Sequence, residues 1–382
     1  MEVLMIYFDY AASCPLDKEA AETYIKAATD YFGNSKSLHD IGNKAYNLLE
    51  YSRAQLSSVL GIDKDGLYFT SGGSESNYLG IQTLKGSPLK NGKHIISTSA
   101  EHSSVGNTLE KLKEEGYDIT YLDFNQDGVI DLMELEKAIR KDTILITVQH
   151  GNPEIGTIQP ISEISTLCQK NDILLHSDCV QTFGKQDLKT ISKLVDSFSI
   201  SGHKIYGPKG IGALYLSPKR AWKPYYPGTS HEGGIRPGTV NVPAIAAMTV
   251  AAVKMEKMRE QLHEHYQILR RQLLQQLETM DSRFIFYEFN NQLPSTIGMR
   301  VKGIEGQWMM LELNRLGFAI STGSACQIGL LSPSKTMKAL GVTGKKAKEF
   351  IRISFGKMTS INDVKQLGEA ILSIVENAEI KV

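Results

Sequence analysis

The chain has 382 residues, 41% hydrophobic and 22% charged, the make-up of a soluble globular protein of about two domains with a large core. Lysine plus arginine and aspartate plus glutamate balance at 42 each, so no basic surplus points to nucleic acid and no charge block points to a tail. Apolar runs such as Ile144–Val148 are far too short to span a membrane, and MEVLMIYFDYAAS lacks the basic region and apolar stretch of a signal peptide.

Asp17–Phe32 reads as a helix capped by Asp17, with Tyr24, Ala27, Ala28 and Tyr31 on one face and Gly33 at its end. A second helix is expected from about Asn43 to Leu60, stopped by Gly61. Leu67–Thr70 is a short strand, and SGGSES (Ser71–Ser76) follows it. Strands are then expected at His94–Thr98, Ile119–Leu122, Ile144–Val148, Ile173–His176 and Val195–Ile200, with helices between most of them. That alternation predicts a parallel sheet covered on both faces. Gly212–Leu216 adds a strand returning from a Gly/Pro-rich loop. From Val242 to Met280 the pattern is helical, with Tyr266, Leu269, Leu273, Leu277 and Met280 at three- and four-residue steps. Beyond it, Phe284–Tyr287, Thr296–Val301, Gly306–Leu316, Phe318–Thr322, Phe350–Phe355 and Ile361–Asn377 alternate strand and helix on a smaller scale.

The stretch around which these elements arrange themselves is SGHKIYGPKG (Ser201–Gly210). Lys204 sits where a strand ends and a tight loop begins, the end of an open α/β sheet at which ligands bind. A lone lysine on a turn is more often a surface group. One held at fixed geometry suits a Schiff base with a flat cofactor. SGGSES lies between a strand and a helix near Ser74, and its glycines and free N–H groups would cradle a phosphate, although SGG also makes ordinary turns. His102 follows the strand His94–Thr98, where a structural histidine is common and a ring-stacking, proton-moving one is the alternative. HSDCVQ (His176–Gln181) ends a strand in an aspartate. Strand alternation sets Asp178 and Val180 on one face, so that Asp178 can hold a pyridine nitrogen while Val180 packs on the ring and Gln181 reaches its phenolic oxygen. An aspartate capping the next turn is the plainer reading.

Cys14, Cys168 and Cys179 read as packing residues, in unrelated contexts with no CxxC, which suits a reducing cytosol. Cys326 differs. It lies in STGSACQIGLLSPSK (Ser321–Lys335), a small-residue loop where a thiol nucleophile is expected. Arg352, in FIRISFG, needs a partner inside an apolar strand, and a substrate carboxylate would be one. Asp123, Asn125, Asp127, Gly128 and Glu134 match a twelve-residue calcium loop in full. A strand, rather than the helix an EF-hand requires, precedes them at Tyr117–Phe124, so a polar turn before a helix capped near Asp131 is the expectation.

Together these residues resemble the pyridoxal-phosphate (PLP)-dependent cysteine desulfurases, in class V of the aminotransferase family. The similarity covers nearly the whole chain from FDYAAS to FIRISFG, and the GSAC loop is similar to the NifS/IscS-like group. The resemblance implies the α/β PLP-dependent transferase fold, aspartate-aminotransferase-like fold type I. It would have a large domain with a mainly parallel central sheet (15–258) and a smaller α/β C-terminal domain (259–382, with 1–14) carrying the cysteine loop. It further implies that Lys204 is the Schiff-base lysine and that Ser201, His203, Gly73 and Ser74 hold the phosphate. His102 would stack on the ring, beside the ring-contacting Asp178, Val180 and Gln181. Thr239, in RPGTVNVP, would reach the phosphate of a neighbouring subunit, so a homodimer is expected. Cys326 would form the persulfide and Arg352 bind the substrate carboxylate. L-cysteine is the implied substrate, a sulfur-acceptor protein such as an iron–sulfur scaffold or client enzyme the implied partner, and the cytoplasm the implied compartment, with no metal. Three departures stand out. Pro153 takes the place of a second asparagine before Glu-Ile-Gly, Pro237 that of a serine, and Val180 that of a smaller residue. HGNPEIGTIQP, SDCVQTFGK and RPGTVNVP look like a subgroup associated with NAD biosynthesis. The rival readings are another class V reaction (selenocysteine lysis or transamination, the latter needing no thiol) and a cofactor-free scaffold for an iron–sulfur partner.

Overall fold

A computed structural model describes residues 5–278, 283–323 and 334–379. In chain order, β1 (Ile6–Tyr7) leads to α1 (Lys18–Asp30), α2 (Asp40–Leu60), β2 (Leu67–Thr70) and α3 (Gly73–Gly86). Strand and helix then alternate through β3 (His94–Thr98), α4 (Ser103–Glu114), β4 (Asp118–Leu122), α5 (Leu132–Ala138), β5 (Thr143–Thr147), α6 (Ile161–Lys170), β6 (Leu174–Asp178), α7 (Leu188–Leu194) and β7 (Ser197–Ser201), after which β8 (Gly212–Leu216) returns. The long α8 (Val242–Leu277) precedes β9 (Phe284–Phe286), β10 (Thr296–Val301), α9 (Gly306–Arg315), β11 (Phe318–Ala319), α10 (Lys335–Ala339), α11 (Gly344–Lys348), β12 (Phe350–Ser354) and α12 (Ile361–Glu379).

The seven-stranded sheet has the order β2-β8-β7-β6-β5-β3-β4. The pairs β4–β3, β3–β5, β5–β6 and β6–β7 are parallel, and β8 is antiparallel to both β7 and β2. The chain steps outward from β3 to β4, then crosses back to β5, β6 and β7. Because these strands are parallel, the carboxyl ends of β3, β6 and β7 lie along one edge, where doubly wound sheets bind ligands. Every residue of β3, β5, β6, β7 and β8 is buried, because helices cover both faces. Ile95, Leu145, Leu174 and Leu214 pack with Leu79 and Leu84 of α3 and Leu109 of α4. Their neighbours Ile96, Ile146, Leu175 and Phe198 join the other core with Ile164 of α6 and Ile191 of α7.

Two strands run beyond the apolar residues that suggest them: β6 continues to Asp178 and β7 begins at Ser197 and ends at Ser201. The polar members are satisfied sideways. Ser97 Oγ donates to Thr147 O (2.9 Å), Ser177 Oγ to Val148 O (2.8 Å), and Ser197 Oγ lies 3.0 Å from His176 Nδ1. Buried, partnered hydroxyls cost little, so polarity alone misplaces the strand ends. On α1 the expected face is narrower than its spacing suggests. Asp17 does cap the helix, accepting from Glu19 N at 3.0 Å, and Ala20 and Ala27 are buried, but Tyr24 and Ala28 are exposed. The buried residues of α1 are the small Ala20 and Ala27, and Glu19 pairs with Lys254 of α8 (3.5 Å).

The remaining strands form an antiparallel sheet, β12-β10-β9, and a parallel pair, β1-β11, in which Ile6 faces Phe318 and Tyr7 faces Ala319. The amino-terminal segment is therefore tied to the last third of the chain; Ser354 N also donates to Phe8 O (2.8 Å) and Ala11 N to Ser354 Oγ (2.9 Å). Helix α8 is capped by Asn241 and packs on α1, α2 and α12. Tyr266, Leu269, Leu273 and Leu277 are buried along it, whereas Met280 lies outside the described residues. At the calcium-like sequence β4 enters from a strand, Asn125 Oδ1 accepts from Asp127 N (2.9 Å) and Val129 N (3.3 Å), and Asp131 caps α5. The carboxamide that the motif would give to a cation closes the turn instead.

Candidate active site

Lys204 closes a single 3-10 turn, Gly202–Lys204, directly after β7. The loop beyond it is tightly folded. Tyr206 holds a left-handed φ of 66°, a costly conformation for an aromatic residue. It is held there by its hydroxyl, which accepts from Lys357 N (2.6 Å), and by the Lys357 ammonium 4.4 Å above its ring. The Lys204 ammonium donates to the carbonyls of Ala11 (2.6 Å) and Ala12 (2.8 Å). Gln181 Nε2 donates to the same Ala11 carbonyl at 2.9 Å. FDYAAS is thus part of the site, which its small apolar residues do not announce.

Asp178 is the last residue of β6 and is 7% exposed. Its Oδ2 accepts from Asn77 Nδ2 (2.7 Å) and its Oδ1 from Val180 N (2.9 Å). Val180 therefore lies in a turn that Asp178 itself closes, which corrects the expectation of strand alternation and unites the two readings of that aspartate. Asn77, on the second turn of α3 and 1% exposed, is the residue that sequence reasoning missed. Its Nδ2 also donates to Ser104 Oγ (2.9 Å), and its Oδ1 accepts from Ser199 Oγ (2.5 Å) and meets His176 Nε2 at 3.1 Å. Ser104 in turn lies 2.8 Å from His102 Nδ1, and Ser104 N donates to the same nitrogen at 3.2 Å. A backbone N–H only donates, so the neutral His102 ring carries its proton on Nε2. One carboxamide thus ties Asp178 to His102. A buried polar residue on an otherwise apolar helix face was the available signal.

The start of α3 also suits a phosphate. Gly72 begins α3 without a side-chain cap, leaving first-turn N–H groups at the positive end of the helix. A Cβ on Gly73 would come within 2.6 Å of Val180 Cγ2 and 3.6 Å of Ser201 Cβ, so Gly73, Val180 and Ser201 converge on one place. Ser74 stands in the same first turn. His203 Nδ1 lies 3.3 Å from Ser13 Oγ, and burial, then the Lys204 and Lys209 charges, lower its pKa to about 4. Thr239 is exposed, two residues before the cap of α8. These residues fit a PLP group: a lysine amine, a buried aspartate with both oxygens oriented, and a glycine-lined helix start for a phosphate.

The opposite wall comes from the last third of the chain. Arg352 of β12, 5% exposed, pairs through Nη2 with Asp9 Oδ1 (2.6 Å) and donates through Nη1 to Pro153 O (3.2 Å). Its buried Nε has no hydrogen-bond partner among the described residues. The partner that the sequence demanded is therefore first a protein carboxylate. Asn152 turns away, capping Glu154 N (2.8 Å) and Ile155 N (3.0 Å) and donating to Thr336 Oγ1 (3.0 Å). Glu154 is buried, which raises its pKa, and accepts from the Ser334 hydroxyl. Glu101, beside His102, accepts through Oε1 from Thr98 Oγ1 (2.7 Å) and Gln149 N (3.0 Å), while Oε2 is buried without a partner among the described residues. Burial pushes its pKa up to about 8. Cys326 lies outside the described residues. Cys14, Cys168 and Cys179 are buried, and burial raises the pKa of each.

Comparison with known proteins identifies the family. The family description "Aminotransferase class-V" matches residues 6–367. The chain is 45% identical over 366 residues to a Bacillus subtilis (strain 168) protein named as a candidate cysteine desulfurase, NifS, covering 95% of this chain and 93% of the relative. It is 37% identical over 376 residues to the cysteine desulfurase IscS of Dictyoglomus turgidum (strain DSM 6724 / Z-1310), covering 97% and 94%. A solved NifS-like protein superposes with a TM-score of 0.90 at 30% identity, covering 98% of this chain and 100% of the other. The fold is that of the PLP-dependent transferases, and the chain belongs to the class-V aminotransferase family, among its NifS/IscS cysteine desulfurases.

Proposed function

We propose that this chain takes sulfur from L-cysteine, releases L-alanine, and carries the sulfur as a persulfide on Cys326 to a protein acceptor. The observation that carries this reading is the pairing of strand ends: Lys204 after β7, its ammonium fixed by the Ala11 and Ala12 carbonyls, beside Asp178 at the end of β6. PLP supplies an aldehyde for a lysine amine and a ring that withdraws electrons from a substrate's α-carbon.

Lys204 provides the amine. Asp178, oriented by Asn77 and Val180 N, presents an acceptor to the ring nitrogen. Ser74, Ser201, His203 and the N–H groups around Gly73 would hold the phosphate, Val180 and His102 would pack against the ring, and Gln181 would meet its oxygen, with the Nε2 proton of His102 placed by the contact at Nδ1. Arg352 orients the substrate carboxylate. The Cys326 thiolate attacks the substrate sulfur; an S–S bond forms, the substrate's C–S bond breaks with its electron pair left on carbon, and a proton completes alanine.

A second copy of the chain completes the site through Thr239. Ile25, Phe32, Leu38, Ile41 and Tyr51 on α1, α2 and the segment between them are exposed, Leu38 at 95%, and apolar surface of that kind is what a homodimer covers. An iron–sulfur scaffold or client enzyme receives the sulfur in the cytoplasm. Among the described residues no helix is long and apolar enough to cross a membrane. Cys326→Ser tests the reading. The variant is expected to keep the cofactor's visible absorbance and its spectral response to L-cysteine, yet to lose alanine release by at least about 100-fold, since a hydroxyl ionises far less readily than a thiol. Alanine release near the wild-type rate would falsify it.

A further inference from the structure

Lys335, Lys338, Lys345, Lys346 and Lys348 fall within fourteen residues that contain no aspartate or glutamate. The first two stand on α10 and the others on α11. Lys338, Lys345, Lys346 and Lys348 are exposed, and α11 is anchored through the buried Ala347. The chain as a whole is neutral, so this concentration of charge is local. Some lysines elsewhere sit beside carboxylates: Lys113 with Glu110 (2.8 Å), Lys137 with Glu134 (2.7 Å), Lys85 with Glu115 (2.8 Å). Here the nearest acid in sequence, Glu349, is already committed to Arg300 Nη1 and Gly303 N, both at 3.0 Å. Glu288, across the neighbouring groove, is paired with Arg270.

That groove holds about 390 Å³. Leu340 and Val342, in the turn joining α10 to α11, line one side, Phe124, Phe286, Tyr287 and Phe289 line much of the rest, and Asn125, Gln126 and Glu288 add a polar edge. A groove with an apolar side therefore opens beside the exposed ammonium groups of Lys338, Lys345, Lys346 and Lys348, which have no ion pair among the described residues. The cluster is also close in sequence to the sulfur carrier, since Lys335 stands nine residues after Cys326.

We propose that the α10–α11 face is the docking surface for the protein that takes the sulfur, and that this protein presents an acidic segment with an apolar anchor. The proposal rests on the reading of Cys326 as the persulfide carrier. Clustered like charges speed the encounter with an opposite patch and exclude like-charged partners, while the groove supplies apolar area that survives salt. Once docked, the acceptor's thiolate attacks the outer sulfur of the Cys326 persulfide. A new S–S bond forms on the acceptor, the old one breaks, and Cys326 leaves as a thiolate, with no oxidant or reductant consumed.

The test uses the holoenzyme and two synthetic peptides, each with one cysteine and one leucine, one rich in glutamate and the other with glutamine in those places. Mass spectrometry follows persulfide formation on each peptide, and alanine release with dithiothreitol is measured alongside. The glutamate peptide is expected to accept sulfur about tenfold faster at low ionic strength, within the range of electrostatic rate effects. That preference is expected to vanish at high salt and in the variant Lys338→Glu/Lys345→Glu/Lys346→Glu/Lys348→Glu, whose alanine release with dithiothreitol stays unchanged. If the reversed-charge variant loses that release, the four Lys→Gln changes replace it, and the same loss of preference is expected. Equal rates for the two peptides on wild type, or a preference that survives the substitutions, overturns the proposal. Salt-sensitive oligonucleotide binding lost in the variant, with no peptide preference, overturns it in favour of nucleic acid. Absence of alanine release by the wild type itself, with dithiothreitol present, defeats the desulfurase reading instead and is seen before any peptide is added.

Discussion

Asp178, the last residue of β6, and Glu101, three residues after β3, are carboxyl groups buried at the same edge of one sheet, and they are supported in opposite ways. Each oxygen of Asp178 accepts one N–H, from Asn77 and Val180. Glu101 places both of its donors on Oε1 and leaves Oε2 buried without a partner among the described residues. Burial without balanced donors favours the protonated form, and Glu101 keeps its proton up to about pH 8. The lesson concerns division of labour along a strand edge. At Asp178, on the floor of the site, both carboxyl oxygens are engaged by N–H donors. The rim beside His102 is organised to stay neutral, tying the ends of β3 and β5 together through Thr98 and Gln149.

The largest effect expected on this contrast comes from the floor. Asp178→Asn keeps the shape and one acceptor oxygen but loses the charge opposite the ring nitrogen. Turnover is expected to fall about 100- to 1,000-fold, in line with losses of a preorganised electrostatic group, while cofactor absorbance is retained. Turnover near wild type removes Asp178 from the chemistry and with it the distinction between floor and rim.

An intermediate effect is expected on the opposite wall. Arg352→Lys keeps one charge for Asp9 but cannot serve Asp9, Pro153 O and a substrate carboxylate from one planar fork. KM for L-cysteine is expected to rise about tenfold with a smaller change in kcat. A fall in kcat at unchanged KM would instead make Arg352 a structural tie between Asp9 and the Pro153 turn.

The smallest effect is a change in pH dependence. The folded-state pKa of Glu101, about 8, stands above the usual 4.5, so the folded protein holds an extra proton between those values and loses stability as pH rises through that window. His150, His176 and His203 act in the reverse sense, because burial lowers each from 6.5 to about 4 and stability is lost as pH falls through that range. Between pH 6.5 and 8 the fading histidine contribution is common to wild type and a Glu101 variant and cancels in their comparison, which leaves Glu101. In Glu101→Gln holoenzyme the stability lost between pH 6.5 and 8 is expected to shrink by about 1–2 kcal/mol relative to wild type, read from denaturant midpoints at the two pH values. An unchanged difference shows that Glu101 does not hold its proton in that range.

Sequence alone determined the alternation of strand and helix, the returning β8, the long α8, and the placing of Lys204, Asp178 and Gly73 at strand–loop junctions. These follow from periodicity and from glycine and capping residues, which act over a few positions of chain. It left the partners undecided. Asn77 reaches Asp178 across 101 residues, and Arg352 reaches Asp9 across 343. The carbonyls that fix Lys204 belong to alanines, whose side chains carry no sign of that role. Only the tertiary structure decides such contacts, because a hydrogen bond between distant segments depends on how both are oriented by everything packed between them. The same holds for Glu101, whose proton is set by burial and by a missing donor rather than by the residues next to it in sequence.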